Sequence, residues 1–268
     1  MIKPQIMGIL NVTPDSFSDG GSFTSRETLI CQMEQLIADG ADIIDVGGES
    51  TRPFADPVSE EEELKRVIPA IKALRQIDPE IPVSIDTTKS RVAREALQVG
   101  ATIVNDISAL RQDPEMLDVI KEYDGPVIIM HMQGTPGTMQ VKPEYKSVIE
   151  EIQAFFEERI QFMRSQGIEE KRIVLDPGIG FGKTLEHNLD ILRNIQVFKQ
   201  TGLPVLIGHS RKSFFDTLLA IPLQERDCPT AVVSALCAQQ DVDILRVHDV
   251  LKSKRAVQIA LSLQVEPG

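Results

Sequence analysis

The chain has 268 residues, 42% apolar and 25% charged, a balance that excludes disordered and fibrous classes and allows one large α/β domain spanning residues 1–268. Twenty-eight basic residues against 40 acidic ones give a net charge of −12, so the chain is not expected to bind nucleic acid or membrane, and an anionic ligand needs a local cluster of cations. Three cysteines, Cys31, Cys228 and Cys237, form no CxxC pair, and no apolar run approaches the roughly 18 residues of a membrane span, which predicts reduced thiols in a cytoplasmic protein.

Short, β-branched apolar runs recur along the chain: QIMGILNV (5–12), DIIDVGG (42–48), PVSIDT (82–87), TIVNDI (102–107), PVIIMHM (126–132), RIVLDPG (172–178), PVLIGHS (204–210) and DILRVHD (243–249). They are continuously apolar rather than alternating, as expected of parallel strands covered on both faces. Helical periodicity fills the gaps. In 59–77, Ser59 and Glu62 match a capping box, and the acids 60–63 read as a favourable first helical turn. A second amphipathic helix spans 147–167. Eight strand–helix units of about 33 residues each predict a (β/α)8 TIM barrel, with an open doubly wound sheet as the alternative. The segments at 13–23 and 51–60 are long and rich in Gly, Pro, Ser and Asp, and read as lids over a site.

Asn11, Asp86, Asn105, His131, Asp176, Ser210 and His248 all fall at or near the C-terminal ends of predicted strands, where barrels carry their chemistry. A single such residue would be read as a helix cap. Seven embedded in apolar runs read as a ring of convergent polar groups. The seventh and eighth runs also bring together Arg211, Lys212, Arg246 and His248, a cation cluster where barrels usually bind phosphate.

The segment DPGIGFGKT (176–184) is neither a P-loop, because Pro177 stands where the first Gly is needed, nor a dinucleotide fingerprint, because Lys183 replaces the third Gly. Its glycines allow a flat backbone shelf with Asp176 behind it and Phe181 in front. An ionised Asp176 can accept two hydrogen bonds from adjacent N–H donors such as those of a 2-aminopyrimidinone, and Asn105 and Asp86 could complete recognition of that ring. No Ser/His/Asp or Cys/His nucleophile is convincing, the four histidines lack zinc spacing, and Lys212 lies beyond its strand rather than within it as a Schiff-base lysine would.

From about Ile6 to Leu263 the sequence resembles the dihydropteroate synthases. The motifs are GILNVTPDSFSDGG (8–21), DIIDVGGESTRP (42–53), VSIDTTKSRVAREAL (83–97), IVNDIS (103–108), MHMQGTPGTMQ (130–140), DPGIGFGKTLEHN (176–188), SRKSF (210–214) and RVHDV (246–250). The resemblance implies a barrel enzyme that joins 4-aminobenzoate to 6-hydroxymethyl-7,8-dihydropterin diphosphate, releasing pyrophosphate in folate biosynthesis, and that is a target of sulfonamides. It implies a pterin site at Asp86, Asn105, Met130, Asp176 and Lys212, and a diphosphate site at Asn11, Arg52, Arg246 and His248. Mg²⁺ would be held by Asn11 and Asp19, and aminobenzoate by Phe17, Thr51, Arg52, Pro53, Gly180, Phe181 and Ser213. Lys212, Asp86, Arg246 and His248 would be the catalytic set, and Arg211 would have no catalytic role.

The family association also implies a homodimer, for which the apolar stretch 230–240 offers Val233, Leu236 and Cys237 as a contact face. Two positions depart from the family pattern: Phe54 and Asp216 stand where Gly is common. The rival readings are a pterin-dependent methyltransferase, which has no need of the SRKS and RVHD cations, and a paralogue that binds pterin without catalysis.

Overall fold

The computed structural model describes residues 3–12, 23–50, 57–135, 137–139 and 142–263. Phe17, Asp19, Thr51, Arg52, Pro53 and Phe54, and both expected lid segments in large part, lie outside the described residues. Eight parallel strands run as β1 (Gln5–Asn11), β2 (Ile43–Gly47), β3 (Val83–Asp86), β4 (Ile103–Asp106), β5 (Val127–Met130), β6 (Ile173–Asp176), β7 (Leu206–Ile207) and β8 (Ile244–Val247). Their order is β6-β5-β4-β3-β2-β1-β8-β7. The two ends meet through a bridge between Leu175 and Val205, supported by the Leu175 N–H donating to the Pro204 carbonyl at 2.9 Å. The sheet is therefore a ring, the expected (β/α)8 barrel. Each strand lies inside its predicted run, and β7 is the shortest.

The helices are α1 (Phe23–Ala38), α2 (Glu60–Ile77), α3 (Ser90–Gln98), α4 (Met116–Glu122), α5 (Val148–Ser165), α6 (Leu185–Arg193), α7 (Ile195–Lys199), α8 (Phe214–Leu219), α9 (Asp227–Ala238) and α10 (Val250–Ser262). The α2 helix starts where Ser59 Oγ accepts from the Glu62 N–H at 3.3 Å. It buries Leu64, Val67, Ile71 and Leu74 at helical spacing against the strands. Two sequence expectations for this turn need correction. The Glu62 carboxylate accepts from Arg66 Nε at 3.1 Å instead of returning to its cap. Glu63 is no solvated first-turn acid: it is fully buried and paired with Lys89 at 2.5 Å. A reciprocal capping box forms instead at the start of α6, between Thr184 and His187.

The barrel has two apolar compartments. Residues such as Leu10, Ile44, Val46, Ile85, Val104, Ile129 and Leu175 face outward and meet the helices. Met7, Ile43, Ile103, Ile128, Val174, Leu206 and Ile244, one from each of seven strands, touch each other and fill the bottom of the barrel. Burying each such side chain stabilises the fold by about 1.5–3 kcal/mol.

Among the described residues no helix is long and apolar enough to cross a membrane. All three cysteines are free. Cys237 is 1% exposed, and burial pushes its thiol up to about 12. It belongs to the core and not to a contact face, because the side of α9 turned to solvent carries Val232 and Leu236. Asp216 is exposed and lies 3.5 Å from Arg226.

Candidate active site

Side chains alternate along a strand, so the residue two positions after each bottom-layer residue also faces the lumen. After Ile43, Ile103, Ile128, Val174 and Ile244 this places Asp45, Asn105, Met130, Asp176 and Arg246 inward, one layer higher. The apolar floor thus gives way within one residue pair to a polar layer, and Asp86 joins it from the end of β3. His131 has the opposite parity. Its ring packs outside the lumen against Tyr145 and Phe155, at centroid distances of 6.0 and 5.0 Å, which removes it from the expected polar ring.

The centre of the layer is a charge network. Arg246 Nε donates to Asp45 Oδ2 at 2.5 Å and Nη2 to Asp86 Oδ2 at 2.8 Å. Asn105 Nδ2 donates to Asp45 Oδ2 at 3.3 Å. Burial works against the charge on Arg246, and Asp45 and Asp86 more than offset it. Burial likewise pushes the Asp86 carboxyl up to about 7, with Arg246 pulling it down and Asp45 and Glu63 pushing it further up. Asp86 therefore sits where a small change in its surroundings decides whether it carries a proton.

Asp176 ends β6 with Oδ1 accepting from the Gly178 N–H at 2.8 Å. Burial raises its pKa, and that backbone hydrogen bond opposes the rise. The following segment is the expected shelf, with Gly178, Gly180 and Gly182 all at positive φ. The shelf is held from several sides. Gly180 N–H donates to Asn188 Oδ1 at 2.7 Å, and the Tyr145 hydroxyl donates to the Gly182 carbonyl at 2.9 Å. Phe181 is buried beside Met130, Ile107, Met132 and Met139. Lys212 Nζ stands 3.9 Å from the centroid of its ring, a cation–π contact. Burial and Arg246 lower the Lys212 pKa to about 8, against the pull of Asp176 and Asp86.

On the rim after β7 and β8, Ser210 Oγ accepts from the His248 backbone N–H at 3.1 Å and lies 2.9 Å from Nδ1 of the same residue. Ser210 is buried, so its hydroxyl proton is best satisfied by donation to Nδ1, which leaves the imidazole proton on Nε2. Burial and the neighbouring Arg211, Arg246 and Lys212 push His248 down to about 3, and the ring is neutral near pH 7. Arg211 departs from the expected cation cluster. Its guanidinium is engaged bidentately by Asp227, with Nε to Oδ1 at 2.5 Å and Nη2 to Oδ2 at 2.8 Å. That carboxylate neutralises the charge an anion would need.

The structure thus brings together Asp86, Asn105, Met130, Asp176, Gly180, Phe181, Lys212 and Arg246, with Ser210, His248 and the exposed Asn11 and Ser213 on the rim. Sequence reasoning missed two residues. Asp45 was hidden inside an apolar strand with no turn chemistry beside it; its spacing of two from Ile43 was the available signal. Lys183 served only to reject a motif, yet it is 4% exposed.

Over residues 7–248 the chain matches the family described as pterin binding enzyme. It is 47% identical to a dihydropteroate synthase of Synechocystis over 262 residues, which cover 97% of this chain and 90% of that one. A dihydropteroate synthase from Anaplasma phagocytophilum with bound 6-hydroxymethylpterin-monophosphate superposes with a TM-score of 0.90 at 41% identity, covering 98% of this chain and 100% of that chain. The Xanthomonas albilineans dihydropteroate synthase with 4-aminobenzoic acid gives the same TM-score and identity, covering 99% of this chain and 94% of that one.

Proposed function

This chain belongs to the pterin binding enzyme family, and from that premise we infer that it catalyses the dihydropteroate synthase reaction, the condensation of 6-hydroxymethyl-7,8-dihydropterin diphosphate with 4-aminobenzoate. The observation that carries the reading is the polar layer of Asp86, Asn105, Asp176 and Arg246 directly above the apolar barrel floor. A flat heterocycle with adjacent N–H donors fits this layer. Asp176 keeps acceptor capacity beyond its bond to Gly178, since a carboxylate offers about four lone-pair sites. Met130 and Lys212 complete the pterin site.

The diphosphate is assigned to the rim, against Asn11, Arg246 and His248, with Arg52 outside the described residues. Two of the Arg246 N–H groups are already committed to carboxylates, so its position is set before a ligand arrives. His248 serves as a neutral Nε2–H donor. Gly180, Phe181 and Ser213 supply the described part of the aminobenzoate site, and Phe17, Thr51, Arg52 and Pro53 the rest.

The reaction then needs no covalent enzyme intermediate. The bond from the exocyclic methylene to the diphosphate oxygen breaks, and its electron pair leaves with pyrophosphate. The electron-rich dihydropterin spreads the positive charge left on the methylene. The aniline nitrogen forms the new C–N bond and loses a proton to pyrophosphate or solvent. Asp86, Lys212 and Arg246 position charge around the ring, and the buried Phe181 and Met130 exclude water from one side.

Magnesium fits this scheme as an ion carried with the substrate. Among the described residues no group of three His, Cys, Asp or Glu side chains converges as metal ligands. Asn11 offers a single neutral oxygen, which suits an ion that keeps several waters and takes other ligands from phosphate. Asn11, with Asp19 outside the described residues, would hold the ion, and its chemistry there would be to neutralise the leaving group.

A homodimer is supported by Val232, Leu236, Ile259 and Leu263, exposed apolar residues on or beside α9 and α10. The free cysteines, two of them exposed, suit a reducing compartment and hence the cytoplasm. The deciding experiment is formation of dihydropteroate and pyrophosphate from the two substrates, with and without Mg²⁺. Binding of the pterin with no product would favour the non-catalytic paralogue.

A further inference from the structure

Lys183 is a buried lysine that the reaction as described does not use. Its backbone is fixed at the start of α6, where the Thr184 N–H donates to His187 Nδ1 at 3.2 Å and the His187 N–H to Thr184 Oγ1 at 3.3 Å. From this rigid base the side chain turns back under the shelf. Nζ donates to the Phe181 carbonyl at 2.9 Å, to His131 Nδ1 at 3.1 Å and to the His131 carbonyl at 3.3 Å. An ammonium has three donors, and all three have acceptors here. Among the described residues none of these partners is a carboxylate. A buried cation that no carboxylate contacts directly is costly, so its place in the fold calls for a role.

We propose that Lys183 is a positioning residue for the aminobenzoate face, fastening the backbone of Phe181 to the end of β5 so that the Phe181 ring stands under Lys212. This rests on the functional reading above. The shelf has little freedom to find that position by itself. A Cβ on Gly178 would lie 2.0 Å from the His131 carbonyl oxygen, and one on Gly182 would lie 2.8 Å from the Gln133 carbonyl oxygen. The shelf therefore lies directly on the backbone that follows β5. Lys183 joins both sides of this contact through a single atom, and Phe181 presents its ring to Lys212 at 3.9 Å.

The charge on this clamp is poised. Burial lowers the Lys183 pKa to about 7, with Asp176 on β6 raising it and Lys212 after β7 lowering it further. His131, ringed by Tyr145 and Phe155, is itself pushed down to about 3 by burial, Lys183 and Arg111. It accepts at Nδ1 and does not compete for the proton. His187 caps α6 behind Lys183 and meets Tyr145 edge-on. Loss of the ammonium proton leaves two donors, enough for the two carbonyls, and the free amine then accepts from the other tautomer of His131, so the tie to Phe181 holds in either charge state.

The test is steady-state kinetics of the full chain as wild type, Lys183→Met, Phe181→Leu and the double variant, with KM measured for each substrate. Lys183→Met is expected to raise the aminobenzoate KM about tenfold or more while the pterin diphosphate KM stays within about threefold. Because Lys183 acts through Phe181, the double variant is expected to be no worse than Phe181→Leu alone. A merely structural lysine would raise both KM values together or give effects that multiply, and either result overturns the inference. Should Lys183→Met fail to fold, Lys183→Gln, which keeps a side-chain N–H donor, takes its place. Its aminobenzoate KM is expected to rise while the pterin diphosphate KM stays within about threefold, and a rise in both or in neither overturns the inference. A wild type that makes no product overturns the functional reading, and this inference with it; an active wild type with unaffected variants overturns this inference alone.

Discussion

Arg246 and Asp45 are 201 positions apart in the chain and 2.5 Å apart in the barrel mouth. Asp45 is completely buried and also accepts from Asn105, so one carboxylate orients both Asn105, assigned to the pterin, and Arg246, assigned to the diphosphate. Breaking a buried pair of this kind costs about 3–5 kcal/mol when the partner is left unpaired. Asp86 still holds Arg246, so Asp45→Asn is expected to fall at or below the lower end of that range. It is also expected to weaken pterin diphosphate binding at least tenfold. Urea unfolding and calorimetry check the two effects, and an unchanged affinity in a folded variant would place the ligand elsewhere.

Two glycines with similar backbone conformations separate strain from collision. Gly202 has φ +78 with nothing within 4 Å of an added Cβ, whereas Gly178 has φ +71 and faces the His131 carbonyl. Gly202→Ala is expected to cost about 1–2 kcal/mol from the left-handed backbone alone. Gly178→Ala is expected to cost clearly more and to abolish most activity, because the shelf must lift away from β5. Comparable unfolding midpoints for the two variants would contradict this account.

The Arg211–Asp227 pair makes a prediction about the rim. Arg211→Ala is expected to leave pyrophosphate affinity within about threefold, whereas His248→Ala removes a neutral donor and is expected to weaken it about tenfold. Titration with Mg²⁺ and pyrophosphate measures both. A larger loss for Arg211→Ala would restore that arginine to the anion site.

Three buried or half-buried histidines set an acid limit. His131 and His248 are pushed down to about 3 and His209 to about 4, each mainly by burial. Unfolded histidine takes its proton near pH 6.5, so below that point the unfolded chain binds more protons than the folded one. The stability these neutral rings contribute is complete above about pH 6.5 and is lost as pH falls toward 4, by at most about 1.4 kcal/mol per pH unit per ring. Asp86, raised to about 7, and Glu63, Asp106 and Asp176, also raised by burial, oppose the trend, because as pH falls the folded chain takes up their protons before the unfolded one does. One ring is therefore read by difference: between about pH 6.5 and 4.5 the urea midpoint of His209→Gln is expected to gain on that of the wild type. An identical pH dependence for the two would mean the His209 ring is charged in the folded state.

The barrel was legible because parallel strands covered on both faces leave continuous apolar runs, and eight of these were visible. Asp86, Asn105 and Asp176 were legible because they close such runs. Parity was harder to see. His131 lies one residue beyond Met130 and so faces the helices, and sequence position alone does not tell the two sides of a strand end apart. Arg211 and Arg246 looked equivalent as cations, and both are paired; the difference is that Asp45 and Asp86 hold Arg246 inside the barrel mouth, whereas Asp227 holds Arg211 against the helix 16 residues further on. Glu63 sat among three other acids and gave no sign that Lys89 would draw it inside.

The ring is not fastened equally all the way round. Between β6 and β7 the hydrogen-bonded pairing reduces, among the described residues, to the bridge from Leu175 to Val205, and β7 is two residues long. Asp176 stands on one side of this seam and Lys212 on the other. A widening of the mouth to admit a bulkier heterocycle would break that one rung before any full ladder. In deuterium exchange, the amides beside the seam should then be the first of the strand amides to lose protection, and a ligand gripped by both Asp176 and Lys212 should slow them most.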